Sequence, residues 1–461
     1  MDKTKVFSVT ALFLCFCSIS NGFNLIYVDV NGPNDPGTGR FEDPYRRIQS
    51  AIDDAKDGDI IEIRPGLYTG AGNYDLDPNG AAITICSTDP NDSNVTASTI
   101  IDANKAGRGF YIHSGEDANF VVAGLTLRNC ATNVSGGGIY CYDSSPTITM
   151  CVIINNEAEG SGGGIYCSKS KAAIINCIIA GNHASFGGGI RCSLGSDIEV
   201  ANCTIVKNST SPEWGGDGIY CSSSSSPNIV NSIIRSNGSE QIYAGDGSPI
   251  ITYSNIEDGW AGTGNIDTDP CFASFDPNGE PNMWDFHLQS AYGRWDGNSF
   301  GIDFNKDGVV NLFDFAKLAN VWFEESTKLP EDLNNDNTVD LADLQIFAEY
   351  FLTTGYKSQW IFDAMTSPCV DAGDPNSDWS DEAWPNGKRI NMGAYGGTYE
   401  ASKNGNAADF NVDGTVHFAD FGQFAKEWKL EQKCIEDLNG NGVVEYADLD
   451  MFANNWLWQK E

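Results

Sequence analysis

Basic and imidazole side chains are scarce in this sequence. It holds 27 lysines and arginines against 63 aspartates and glutamates, and four histidines in all. A formal net charge of −36 argues against nucleic acid and anionic membrane surfaces as partners. It suits a protein that binds cations. So few histidines make a histidine-centred catalytic site an unpromising expectation. No C-x-x-C pair occurs, so a zinc knuckle has no support. Past residue 20, no apolar run is long enough to span a bilayer. Helical periodicity over ten or more residues is also rare. The apolar runs are mostly short, rich in Ile, Val and Tyr, and bounded by Gly, Asn and Ser, which are strand and turn signals.

What the chain has instead is repetition. The phrases SGGGIYC, SGGGIYC, FGGGIRC and GGDGIYC carry Cys141, Cys167, Cys192 and Cys221, spaced 26, 25 and 29 residues apart. A second phrase follows each: TMCVIINN, INCIIAGN, ANCTIVKN and VNSIIRSN. A unit this short cannot bury its own apolar face and must stack on copies of itself. Strand side chains alternate, so Ile139 and Cys141 share one face and Tyr140 takes the other. Aligned, the second phrase gives three columns. Ile153, Ile179, Ile205 and Ile234 form the first. Cys151, Cys177, Cys203 and Ser232 stand two residues earlier, and Asn156, Asn182, Asn208 and Asn237 three residues later. Stacked apolar columns with an asparagine column at a turn predict coils hydrogen-bonded at about 4.8 Å. The predicted class is therefore all-β, a right-handed parallel β-helix solenoid. The pattern resembles the pectin-lyase-like superfamily, and the GGGI and N-x-A phrases resemble repeats of polymorphic outer-membrane proteins. Fold resemblance does not carry chemistry with it.

The beginning, MDKTK followed by VFSVTALFLCFCSIS, reads as a signal peptide over residues 1–22, with cleavage near Ser20 or Gly22. An exported, extracellular or surface-attached protein is expected. Of 14 cysteines, two leave with that segment. In-register parallel side chains suit the disulfide dihedral poorly, so the stacked cysteines are expected as free apolar fillers. YVDVNG reads as a first strand. PYRRIQSAIDDAKDGD reads as a short helix with Ile48, Ala51, Ile52 and Ala55 on one face, covering the open N-terminal end. The stretch IQSAIDDAKDGDIIEIRPGLY resembles the entry of pectin-lyase-like β-helices. QIYAGDGSPIITYSNI is the last clear coil. DFHLQS and the segment SPCVDAGDP…GAYGGTYEAS resemble the closing segment of secreted bacterial β-helix proteins, in which the two phrases lie close together. Here roughly sixty residues separate them.

That interval holds DFNKDGVVNLFD, with Asp303, Asn305, Asp307, Asn311 and Asp314 at positions 1, 3, 5, 9 and 12, Gly308 at 6 and the Val309 carbonyl at 7. Such an oxygen set with a glycine turn is what an EF-hand calcium loop requires. DLNNDNTVDLAD repeats it with Asp332, Asn334, Asp336, Thr338, Asp340 and Asp343. Near the C-terminus, DFNVDGTVHFAD offers Asp409, Asn411, Asp413, Thr415 and Asp420, with His417 as a poor ligand at position 9. DLNGNGVVEYAD offers Asp437, Asn439, Asn441, Val443, Glu445 and Asp448. Each loop leads into one helix ending LANVW, FAEYF, FAKEW or FANNW. Aspartate at position 12 and one helix per loop resemble type I dockerin repeats. The resemblance implies Ca²⁺ as cofactor, two small α-helical modules, and a cohesin-like protein domain as partner. Leu312, Leu341, Phe418 and Tyr446 at position 10 depart from the cellulosomal pattern, so structural calcium staples remain the alternative. The expected organisation is a signal at 1–22, β-helix at 23–296 plus 360–402, one module inserted at 297–359 and another at 403–461.

No catalytic residue is assignable. Lyases of the resembled family use a basic residue with calcium, and its polygalacturonases use clustered aspartates; neither motif is legible. The coil charges Glu157, Glu159, Asp197, Glu199, Glu213, Asp217, Lys169, Lys171, Arg191, Lys207 and Arg235 read as solvated. More ordered is the outward position of the GIYC strands: Tyr111, Tyr140, Tyr166, Arg191, Tyr220 and Tyr243. It predicts an aromatic stripe, either a platform for sugar rings or a stacking ladder within the sheet. Two functions stay open. One is an enzyme of extracellular polysaccharide breakdown, a lyase or glycoside hydrolase. The other is a non-catalytic surface or adhesion protein.

Overall fold

The computed structural model describes residues 24–211, 215–276, 284–296, 312–322, 359–428 and 443–459, with single positions at 339, 341, 344, 347, 348, 435 and 438. The leader, most of the first two loops and half of the fourth lie outside the described residues.

Four parallel sheets form the walls of a solenoid. The first has nine strands, from Leu25–Val28 to Ile250–Thr252; the second has six, from Phe110–Ile112 to Ile242–Ala244. The third has eight, from Gly66–Tyr68 to Asn255–Ile256; the fourth has four, from Ala131–Thr132 to Ser209–Thr210. A coil visits the walls in the order first, third, fourth, second, as Thr147–Thr149, Val152–Ile154, Glu157–Ser161 and Ile165–Ser168 show. The first strand begins at Leu25, before the YVDVNG phrase that signalled it.

Register makes the predicted columns real. Ile139, Ile165, Ile190 and Ile219 are successive partners, as are Cys141, Cys167, Cys192 and Cys221. All eight side chains are fully buried. Each isoleucine contributes roughly 1.5–3 kcal/mol of apolar burial. The described cysteines are free, and ten of the eleven are buried. The asparagine column is a buried ladder. Asn156 Nδ2 donates to Asn182 Oδ1 at 3.0 Å, Asn182 Nδ2 to Asn208 Oδ1 at 2.9 Å, and Asn208 Nδ2 to Asn237 Oδ1 at 3.0 Å. The same oxygens accept the backbone N–H of Asn156, Asn182 and Asn208 at 3.0 Å. Each amide thereby satisfies a corner of the coil that sheet pairing leaves open.

Corners recur with one residue at φ near +50°. Met150, Asn176, Asn202 and Asn231 do this between the first and third walls, and Asp143, Lys169, Leu194 and Ser223 after the second. Asparagine tolerates this region, whereas Met150 and Leu194 adopt it because the stacked coils on either side dictate the bend.

Helix α1 (Ile48–Asp54) buries Ile48, Ala51 and Ile52 against the N-terminal end of the main core, as expected. Helix α2 (Ser93–Ser98) lies in a loop between the first and third walls. The parallel strands end at Asn255–Ile256. Beyond them, Phe272–Ser274 and Asp285–Leu288 form an antiparallel pair, and residues 362–402 contain no named strand. These segments are not further coils. They cover the outer face of the third wall, where Ile154, Ile178, Ala180, Val206 and Ile233 pack against Phe272, Phe286, Leu288, Cys369, Val370, Met392 and Ala394. That wall is apolar on both faces, which is why its strands do not alternate. Asn176 and Asn202 each donate to the Gly396 carbonyl at 2.8 Å, and Asn231 donates to Ser377 Oγ at 3.0 Å.

The sixty-residue separation does not keep the closing phrases apart. Ser367 N donates to the Gln289 carbonyl at 2.9 Å, and Arg294–Asp296 pairs antiparallel with Gln359–Ile361. The chain leaves and re-enters at neighbouring positions. Within the interval, helix α3 spans Leu312–Asn320. Near the C-terminus, helices α4 (Phe418–Phe424) and α5 (Tyr446–Asn454) share a small core of Phe410, Val416, Phe424, Val444 and Phe452. Among the described residues, no helix is long and apolar enough to cross a membrane.

Candidate functional site

The outer face of the second wall is built by alternation. Inward isoleucines and cysteines leave Tyr111, Tyr140, Tyr166, Arg191, Tyr220 and Tyr243 pointing out, in register over six strands. Each is half-buried or marginally exposed. Ring centroids are 5.2 Å apart for Tyr111–Tyr140 and Tyr140–Tyr166, and 4.5 Å for Tyr220–Tyr243. Strand spacing of about 4.8 Å is itself an aromatic stacking distance. The rings therefore pack on one another along the wall, stacked for Tyr140–Tyr166 and tilted by 41° and 37° for the other two pairs. Of the two alternatives the sequence left open, the ring contacts within the sheet are those of the stacking ladder.

Cations interleave with the rings. Arg191 lies 4.0 Å over Tyr220 and donates from Nη2 to Ser222 Oγ at 2.8 Å. Its Nε and Nη1 are buried with no hydrogen-bond partner. Burial pulls its guanidinium below the usual value. Arg108, which the sequence did not single out, sits 5.0 Å from the Tyr111 ring and 5.5 Å from that of Tyr140. Lys169 lies 5.3 Å over Tyr142. A chain short of bases thus concentrates three along one aromatic ladder. Not every coil charge is solvated. Asp217 is buried, accepting from Thr210 N at 2.6 Å and Glu240 N at 2.9 Å. It pins a turn, a role for which spacing offers no signal.

Of the predicted calcium loops, Asp303, Asn305, Asp307, Val309, Asn311, Asp332, Asn334, Asp336, Thr338, Asp340 and Asp343 lie outside the described residues, as do Asp437, Asn439 and Asn441. Asp314 belongs to α3, but its side chain is outside them too. The third loop is described throughout. Asp409 accepts from Asp413 N at 3.2 Å and Gly414 N at 2.9 Å; Asp413 accepts from Thr415 N at 3.0 Å. Asp420 is fully buried and accepts from Asn411 N at 3.2 Å. Burial, with Asp420 and Asp413 near, pushes the Asp409 carboxyl up. Among the described residues His417 alone ion-pairs with these acids, its Nε2 3.1 Å from Asp413 and its Nδ1 2.9 Å from Asp420. In the fourth loop, Asp448 is fully buried and accepts from Glu445 N at 2.9 Å.

In kind and order the third loop's oxygens fit a hard cation. In position, Asp409 and Asp413 are held by backbone N–H groups. Among the described residues no three His, Cys, Asp or Glu side chains converge as a formed metal site. A cavity of about 200 Å³ opens beside Asp409, Asp413 and Gly414, walled by Trp384, Asn386 and Asn406. The indole of Trp384 donates to the Ala407 carbonyl at 2.9 Å, so the loop abuts the closing segment. At the helix starts, Phe418 and Tyr446 are 79% and 76% exposed. Each packs on the tryptophan that follows the other helix, with ring centroids 5.0 Å apart for Phe418–Trp456 and 5.2 Å for Tyr446–Trp428.

A family model described as a right handed beta helix region matches residues 117–271. The central coils are a right-handed β-helix. No curated protein matches the sequence. Among solved structures, a pectate lyase is 14% identical, covering 83% of this chain and 96% of that one, with a TM-score of 0.35. A rhamnogalacturonan lyase is 12% identical, covering 57% of this chain and 94% of that one, with a TM-score of 0.30. Neither likeness assigns an activity to this β-helix.

Proposed function

We propose that this is an exported, calcium-binding β-helix protein that holds an extended extracellular polysaccharide along its second wall. The observation that carries the reading is the axial ladder of five tyrosines and Arg191, in register over six strands. That row is about 24 Å long at strand spacing, the length of several sugar units. Tyrosine hydroxyls offer hydrogen bonds to glycan hydroxyls, and Arg108 and Arg191 offer charge to carboxylates.

Affinity electrophoresis tests it. Tyr166→Ala and Tyr220→Ala should each weaken retardation by an acidic polysaccharide roughly 2–10-fold, the worth of one aromatic contact. Cross-strand pairing at such positions contributes about 0.2–1 kcal/mol, so melting should change little. A large fall in melting temperature with unchanged retardation would make the ladder scaffolding alone.

Residues 297–359 and 403–461 act, in this proposal, as calcium-dependent modules. Asp409, Asn411, Asp413, Asp420 and the Thr415 carbonyl hold one ion, whose charge offsets the buried carboxylates of Asp409 and Asp420. The exposed Phe418 and Tyr446 form a face for a protein partner of cohesin-like kind. Chelation of the full-length protein should remove helical circular dichroism and leave the β signal. Free calcium at a hundredfold its Kd should add about 2.7 kcal/mol to the modules. Identical spectra and melting curves with calcium and with chelator would sink the calcium reading.

A further inference from the structure

Where the closing segment meets the C-terminal module, the cavity of about 200 Å³ opens beside the third loop. It is distinct from the position proposed for the ion. Asp409 and Asp413 belong to both, but Asn411, Thr415 and Asp420 do not line the cavity. The lining is of two kinds. Trp384, Pro385 and Val412 are apolar, whereas Asn386, Asn404, Asn406, Asp409 and Asp413 are polar. Among the described residues, no lysine, arginine or histidine lines it.

These groups are held in place without being exhausted. The indole N–H of Trp384 donates to the Ala407 carbonyl at 2.9 Å, which fixes the ring. Asn386 Nδ2 donates to the Glu382 carbonyl at 3.0 Å, and its Oδ1 accepts from Lys388 N at 3.2 Å. Asn406 Nδ2 donates to Asn455 Oδ1 at 2.8 Å, and its Oδ1 accepts from Ala408 N at 2.9 Å. An amide carries two N–H groups and two lone pairs, so each of the two keeps a donor and an acceptor. Asp409 takes one backbone N–H on each carboxylate oxygen and keeps a lone pair on each. Gly405 also lines the cavity, and a Cβ built on it would meet nothing within 4 Å. The open space reaches the backbone there.

This lining selects its ligand. An anion would face two carboxylates and no cation. An apolar molecule would strand the amides and carboxylates without partners. Drug-sized ligands occupy about 300–1,000 Å³, so this cavity suits something smaller. A neutral sugar ring meets each demand, because its C–H face packs on an indole and its hydroxyls both donate and accept. We propose that the cavity binds one neutral hexopyranose unit, a chain end or a side branch, independently of the ladder. Trp384 packs on the C–H face of the ring. Asp409 and Asp413 accept from its hydroxyls, and the amides of Asn386 and Asn406 orient it. The ladder and the cavity thus select opposite ligands, one through guanidinium groups and the other through carboxylates.

Isothermal titration of the full-length protein in calcium-containing buffer tests the site. Methyl glucoside, methyl galactoside and methyl mannoside are the neutral probes, galacturonate the anionic one and putrescine the cationic one. At least one neutral glycoside should bind. Val412→Phe places a ring in the cavity without altering a proposed ion ligand, and should abolish that binding. Trp384→Phe should weaken it roughly 2–10-fold, the worth of the lost aromatic contact. Tyr166→Ala and Tyr220→Ala should leave it unchanged; loss of glycoside binding in either would assign it to the ladder and overturn the cavity site. No heat from any neutral glycoside overturns it, as does equal affinity in wild type and a folded Val412→Phe protein. Should Val412→Phe fail to fold, Trp384→Phe carries the test, and unchanged affinity there overturns the site. Galacturonate or putrescine bound more tightly than every neutral glycoside, and lost in Val412→Phe, overturns the ligand class.

Discussion

Gly163→Ala should abolish cooperative folding of the central coils, whereas Gly195→Ala should be tolerated. A Cβ on Gly163 would sit 2.4 Å from the His183 carbonyl oxygen and 2.7 Å from that of Gly188. Both obstacles are backbone atoms of the next coil, which cannot swing aside as a side chain can. Gly164 meets the Gly189 oxygen at 2.6 Å, and Gly188 the Ser209 oxygen at 2.3 Å. The triple glycine is therefore a steric requirement where the fourth wall turns into the second and coils stack backbone to backbone. Relief would push adjacent coils apart and break their ladders, costing more than about 4 kcal/mol. Gly195 has φ +72° but nothing within 4 Å of its added Cβ, so alanine there costs about 1–2 kcal/mol. Soluble expression, β-type circular dichroism and thermal melting of the two variants decide the matter. A Gly163→Ala protein melting within a few degrees of wild type would show that the coils can spread.

His287→Leu should detach the closing segment, and alkaline pH should do the same to the wild type. His287 is 7% exposed and stacks on Tyr395 at 3.7 Å between centroids. Its Nδ1 lies 2.6 Å from Asp285 and its Nε2 3.2 Å from Glu400, which also accepts from Ser93 N at 2.9 Å. One imidazolium thus joins the antiparallel pair, the closing segment and helix α2. Burial opposes its charge, but Asp285 and Glu400 outweigh that and hold its pKa up at about 9. Its ordinary value is near 6.5, so the charged form is worth roughly 3 kcal/mol to the folded state. Because the folded value is the higher one, this contribution is complete below pH 6.5 and fades as pH rises through about 9. Leucine would leave the buried Glu400 without its cationic partner and Asp285 with Arg294 alone, at a cost of about 3–5 kcal/mol. Melting curves between pH 6 and 10 should fall for wild type and stay flatter for His287→Leu. Parallel profiles would remove His287 from the account.

The columns were legible because a parallel solenoid repeats one geometry. A residue's inward or outward position follows from counting by two, and its neighbour from counting one period on. That reasoning located the isoleucine and cysteine columns, the asparagine ladder and the outward tyrosines. It failed where contacts join residues far apart in sequence without a period. His287 and Glu400 are 113 residues apart and meet through a segment that folds back across the third wall. The same fold-back explains why that wall is apolar on both faces, a pattern the sequence displays but does not interpret.

Ring orientation also needed the structure. Sequence placed tyrosine at five of the six outward positions and Arg191 at the sixth, but the tilt of the rings and the seat of Arg191 over Tyr220 came from packing. Local chemistry alone determined the repeat and the wall-facing pattern, because each depends on neighbours within one turn or one period. Which face is covered, which base gains a carboxylate and which glycine touches backbone depended on tertiary packing. Those outcomes arise from through-space approach of segments whose separation along the chain carries no signal.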